Sequence, residues 1–151
     1  MTGWMDHLVI APIVLPMLAG AAMILAGDRA RSLSVLLGFV STIGLVVLAV
    51  ALLALADGPA VRVYRLGDWP AVFGIVLALD RLSALMLLLT SILGLAAFTF
   101  SIPRWHRVGS HFHPLFQFQL MGLNGAFLAG DLFNLFVFFE VMLAASYGLA
   151  L

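Results

Sequence analysis

From Pro114 to Leu151 the apolar pattern runs for 38 residues. As one continuous helix that stretch would reach about 57 Å, at roughly 1.5 Å per residue, and would overshoot a hydrocarbon core of about 30 Å. The chain must fold back on itself inside this segment. Gly130-Asp131 is the place to do so, because glycine suits the position after a helix end and aspartate can cap the helix that follows. The expected result is two antiparallel spans, near 114–129 and 132–151, joined by a tight elbow.

The rest of the chain repeats this grammar. Leu8 to Ala26 is a charge-free apolar run with Pro12 and Pro16 at i, i+4, a spacing that bends or softens a helix. A cleavable signal peptide is the competing reading of this run. The leader Met1–His7 argues against it, since it holds no basic residue and carries Asp6. A second span is expected near 33–56, loosened by Ser34, Gly38, Ser41, Thr42 and Gly44, small residues that suit close helix packing. A third is expected near 78–101, with Asp80-Arg81 at its entrance and Pro103-Arg-Trp-His-Arg107 at its end. Between the second and third lies Val61-Arg-Val-Tyr-Arg-Leu66, rich in β-formers, followed by the turn signal Gly67-Asp-Trp-Pro70; these predict a short extramembrane hairpin. The fold class is therefore all-α and integral to a membrane, with about five transmembrane helices. Its parts are 1–56, the first two spans; 57–77, the external loop or hairpin; and 78–151, spans three to five.

Composition agrees with the span pattern and narrows the function classes. Hydrophobic residues make up 64% of the chain and charged ones 9%, against roughly 25% charged in an ordinary soluble domain. There are seven Arg, no Lys, six Asp and one Glu. A balanced charge without a basic block speaks against nucleic acid as a partner. Cysteine is absent, which excludes disulfides and thiolate chemistry. His106, His111 and His113 gather near one loop, but without carboxylate or thiolate support they are a weak metal signal. No cofactor motif is present. Arg29, Arg31, Arg104 and Arg107 fall on one side of the predicted spans and Arg62, Arg65 and Arg81 on the other. The two arginines of the short first turn tip the positive-inside rule towards an external N-terminus.

Glu140 is the residue most in need of a reason. It is the only glutamate and stands at the middle of the last predicted span, where an ionised group is costly and by default marks a functional site. The competing reading is a protonated carboxyl or a structural hydrogen bond to a neighbouring span. Phe136, Leu143, Ala144 and Tyr147 share its helical face and should control how wet it becomes. Asp131 reads first as a helix cap. Gln117, Gln119 and Asn124 read as interhelical hydrogen-bonding groups. Gly122, Ala126 and Gly130, flanked by Gly125 and Ala129, form a small-residue stripe without an evident mate, expected to be met by later spans or other subunits.

Gly67-Asp-Trp-Pro-Ala-Val-Phe-Gly-Ile, Leu79-Asp-Arg-Leu-Ser-Ala-Leu-Met86 and above all the stretch from Phe116 to Tyr147 closely resemble the D subunit of the multisubunit Mrp-type monovalent cation/proton antiporters of bacteria. Through that family the chain is also similar to the antiporter-like subunits of respiratory complex I and of membrane-bound hydrogenases. The resemblance implies a part in exchanging Na⁺ or K⁺ for protons across the bacterial inner membrane, in complex with other antiporter subunits. Glu140 would be the proton-exchanging residue, and Asp131, Asn124, Tyr147 and Asp80 possible supports. Family members have about fourteen spans and a lysine partner in a later one, so these residues are expected to be the N-terminal part of such a D subunit. A proton-pumping arm of a redox-driven complex is the alternative function, and an inert membrane scaffold a third.

Overall fold

The computed structural model describes residues 5–27, 31–58, 60–69, 74–105 and 111–151. Five helices follow one another: α1 (Ala11–Ala26), α2 (Arg31–Leu55), α3 (Arg81–Trp105), α4 (Phe112–Leu128) and α5 (Leu132–Ala150). Between α2 and α3, β1 (Arg62–Arg65) pairs antiparallel with β2 (Val76–Leu79), Arg62 opposite Leu79 and Arg65 opposite Val76. The predicted hairpin is therefore present, and its second strand runs to the threshold of α3. Its turn at Pro70–Phe73 lies outside the described residues, as do Asp28, Arg29, His106 and Arg107. By length and composition α2, α3 and α5 can cross a membrane, while α1 is a shorter apolar helix.

Helix boundaries follow local chemistry. Pro12 occupies the first turn of α1, where a missing N–H costs nothing. Asp80 stands between β2 and α3 and caps the helix: its Oδ1 accepts the backbone N–H of Ser83 at 2.6 Å. That bond holds the Asp80 carboxyl below its ordinary value, with the Ser83 hydroxyl adding to the effect. Pro103 does not end α3, which continues to Trp105. His113 is in the first turn of α4 rather than in a surface loop, buried with its ring 5.4 Å from that of Phe98.

The bundle is organised around α4, which packs against α1, α3 and α5, while α2 closes on α1 and α3. One end is covered by the hairpin. His7 Nδ1 lies 3.0 Å from the Tyr64 hydroxyl, and Asp6 pairs with Arg62 at 3.6 Å, tying the N-terminal 3₁₀ turn Asp6–Val9 to β1. Beneath it sits an apolar core that includes Leu52, Leu77, Leu79, Leu87 and Leu128. Deeper in the bundle the core turns polar, with Ser41, Thr42, Gln117 and Asn124 all buried.

The small-residue stripe of α4 finds its mate within the chain, contrary to the expectation of a later span. A Cβ on Gly122 would lie 3.0 Å from the Met142 backbone nitrogen, and one on Gly125 would run into the Phe138 ring. Glycine at these two positions lets α4 and α5 approach backbone to backbone, which is how helices gain dispersion contact in lipid without a hydrophobic drive.

Candidate functional site

The elbow between α4 and α5 forms at Ala129–Asp131, as its sequence predicts, and β2 fastens it. The Gly130 N–H donates to the Val76 carbonyl at 2.8 Å, and Leu77 bridges Ala129. Asp131 then caps α5. Its Oδ1 accepts the Asn134 N–H at 2.8 Å, and the Asn134 side-chain amide donates to its other oxygen. Both oxygens are thus engaged as a cap.

Glu140 is the ninth of the nineteen residues of α5, about 13 Å along the helix from its start. It is exposed. The face that α5 buries carries Asn134, Phe138 and Ala145, and Glu140, two residues on from Phe138, is turned about 200° from it at 100° per residue. Phe136 and Tyr147 beside it are 61% and 69% exposed, and Leu143 and Ala144 are exposed too. Among the described residues no hydrogen bond or ion pair is made by Glu140, and Asp80, Asn124 and Asp131 are not brought to it. Asp80 and Asp131 cap helices at the hairpin end. The carboxyl and its aromatic flank form one open strip along the outside of α5.

Asn124 has a local task that α1 creates. Pro16 has no N–H, so the Pro12 carbonyl four residues earlier loses its helical partner. Asn124 Nδ2 donates to that carbonyl at 2.9 Å, while Asn124 Oδ1 stays buried without a partner. Gln117 accepts the Ser41 hydroxyl at 2.8 Å, joining α4 to α2. The interhelical roles expected of Asn124 and Gln117 are borne out; Gln119, expected to act in the same way, has its side-chain oxygen buried without a partner among the described residues. The partners of the first two were not legible, although a proline at i+4 does announce a freed carbonyl. Among the described residues no group of three or more His, Asp or Glu side chains could hold a metal ion.

No family model matches the chain. It is 58% identical over 156 residues to the D subunit of a probable K⁺/H⁺ antiporter of Rhizobium meliloti, an alignment covering 100% of this chain and 29% of the relative. With the D subunit of a Na⁺/H⁺ antiporter of Alkalihalophilus pseudofirmus it shares 42% identity over 145 residues, 95% of this chain and again 29% of the relative. The chain is similar over its whole length to part of these antiporter D subunits. Its fold agrees: a solved structure of the Mrp complex from Dietzia sp. superposes with a TM-score of 0.87 at 31% identity, covering 97% of this chain and 27% of that one. With these likenesses and its apolar helices, the chain is a multi-pass membrane protein. It spans about three-tenths of the length of the antiporter relatives it matches, each aligned over 29% of its own length.

Proposed function

We propose that the chain is part of the D subunit of a multisubunit antiporter that exchanges Na⁺ or K⁺ for protons in a bacterial inner membrane, acting as a transporter component rather than an enzyme. Glu140 is its proton-exchanging carboxyl. The observation that carries this reading is the placement of that residue: an acid halfway along an apolar helix, without a cationic partner among the described residues, on an exposed aromatic strip. A group so costly in lipid is tolerable when it faces other protein or a wetted cavity. The relatives are more than three times as long as this chain, and in this reading their further spans and partner subunits cover the strip and supply the cation.

The same proposal gives the parts their work. Spans 1–56 brace the bundle, the 57–77 segment lies outside with the N-terminus, and 78–151 begins the ion-translocating bundle. Asp80 and Asp131 fix the starts of α3 and α5, Asn124 fixes α4 against α1, and Tyr147 borders the carboxyl.

The test is made in the complete complex. Glu140→Gln keeps shape and hydrogen bonding but cannot ionise, so antiport in everted vesicles should vanish while assembly stays normal. Glu140→Asp keeps the charge on a shorter arm and should leave partial exchange. Full exchange by an assembled Glu140→Gln complex would return this residue to a structural role.

A further inference from the structure

We propose an internal water-binding site between α3 and α4, in which one buried water donates hydrogen bonds to Asn124 Oδ1 and to Ser91 Oγ. The site lies on the side of α4 away from α5 and does not depend on the role of Glu140.

Asn124 is 2% exposed, and its Oδ1 has no hydrogen-bond partner among the described residues. A buried amide oxygen has given up its hydration, so it is normally met by protein or by an ordered water. The rest of the side chain fixes where this oxygen points. Asn124 Nδ2 is committed to the Pro12 carbonyl of α1, and the two ends of a planar amide diverge, so Oδ1 is aimed away from α1. Along α4, at about 100° per residue, Asn124 is turned only about 20° from Gln117, which faces Ser41 of α2. That small turn is towards Leu120, which meets Gly94 of α3, and away from Phe118, which meets Gly20 of α1. The oxygen therefore looks into the space between α2 and α3.

On α3 the buried stripe is Ala84, Leu87, Ser91, Gly94 and Phe98, and Phe98 packs against the rings of His113 and Phe116 of α4. Because α3 and α4 run antiparallel, stepping from Gly94 back to Ser91 and from Leu120 on to Asn124 moves the same way, by about 4.5 and 6 Å of rise. Ser91 and Asn124 thus stay level. On α2 this level lies two turns beyond Ser41, at the buried Ala49, whose methyl group takes little room and offers no donor. Ser91 is 3% exposed, and its hydroxyl already donates to the Leu88 carbonyl at 2.9 Å. With that proton committed, Ser91 Oγ and Asn124 Oδ1 face each other as two acceptors. A molecule that brings two protons reconciles them. Buried waters sit where polar groups converge in this way, whereas wholly apolar cavities stay dry. A hard cation would need many more oxygens than these. Asn124 so joins three helices at one depth, α1 through its nitrogen and α3 through the water on its oxygen.

The experiment is a cryo-electron microscopy map of the complete complex, fine enough to show ordered water, with a second map of Ser91→Ala. A peak at hydrogen-bonding distance from both Asn124 Oδ1 and Ser91 Oγ is expected in the wild type, and its loss or marked weakening in Ser91→Ala. An empty wild-type site overturns the proposal, as does a direct Ser91–Asn124 bond. A peak ringed by a shell of oxygens closer than hydrogen-bonding distance also overturns it, in favour of a cation. A peak unchanged in Ser91→Ala removes Ser91 from the site and sinks the bridge. Stability gives an independent reading: Ser91→Ala should lower the unfolding temperature of the assembled complex in the wild-type background and do much less in an Asn124→Leu background. Equal shifts in both backgrounds count against the bridge. The Glu140→Gln complex should keep the peak, so failure of the exchange reading and failure of this one are told apart.

Discussion

Asn124 shows how one buried side chain completes the backbone of a neighbouring helix. The Pro12 carbonyl is orphaned by Pro16 and satisfied by Asn124 Nδ2 at 2.9 Å, inside a helix pair where Asn124 is only 2% exposed. Asn124→Leu is nearly isosteric but leaves the carbonyl bare, so we expect a loss of about 1 kcal/mol, the usual scale of interhelical hydrogen bonds in membranes. In a Pro16→Ala background the new N–H at position 16 can take the Pro12 carbonyl, and the same substitution should cost less. A double-mutant cycle by reversible unfolding in mixed detergent checks this; equal costs in both backgrounds would disprove the pairing. The sequence reached half of this result. The i, i+4 prolines announced a weakened helix, and Asn124 announced an interhelical bond, but nothing in residue order says that the two meet across 112 positions.

Single elements were the most legible scale, because their signals are local. The elbow at Gly130-Asp131, the hairpin after Tyr64 and the start of α3 at Asp80-Arg81 each rest on turn or capping chemistry within a few residues. The mate of the α4 stripe was not legible, since a small-residue stripe records how close a neighbour comes and not which one. Two predictions belong here. Gly122→Val pushes against the Met142 backbone, which cannot swing aside, and should destabilise the α4–α5 pair by about 1–3 kcal/mol. A Cβ at Gly125 overlaps the buried Phe138 ring as far in as its Cγ, so Gly125→Ala also forces the helix pair to shift and should cost at least as much; proteolysis at the elbow in detergent would rank the two. At the other junction, the depressed Asp80 carboxyl contributes stability that is present above its unfolded value, near pH 4, and is lost as pH falls through its lower folded value. Asp80→Asn still caps but does not titrate, so its stability should be flatter between about pH 5 and pH 2. A parallel acid profile in both proteins would remove Asp80 from the acid response. The neighbouring Asp57–Arg81 pair is largely exposed and should add well under 1 kcal/mol.

At the scale of the whole molecule, the bundle is complete at one end and open along one side. The N-terminal turn, the hairpin and the α4–α5 elbow interlock at the hairpin end, through Asp6–Arg62, His7–Tyr64 and Gly130–Val76. We expect that end to be external. Single cysteines check it: one at Gly58, exposed beside the end of α2, should react with an impermeant thiol reagent from outside, and one at Ser110 should not; labelling of both, or a reversed pattern, would refute the orientation. The open side is the outer strip of α5, where Phe133, Phe136, Glu140, Leu143 and Tyr147 are all exposed. Proton exchange needs a carboxyl that alternates between a wet environment and a neighbouring charge, and five helices that leave the acid on their outer surface supply neither. Expressed alone and reconstituted in vesicles, these 151 residues should insert but show no cation/proton exchange, whereas the complete complex should exchange in the same assay. Antiport by the isolated chain would mean that the exchanging site is not the outer strip of α5, and the buried polar residues between α1, α2 and α4 would then be the place to look.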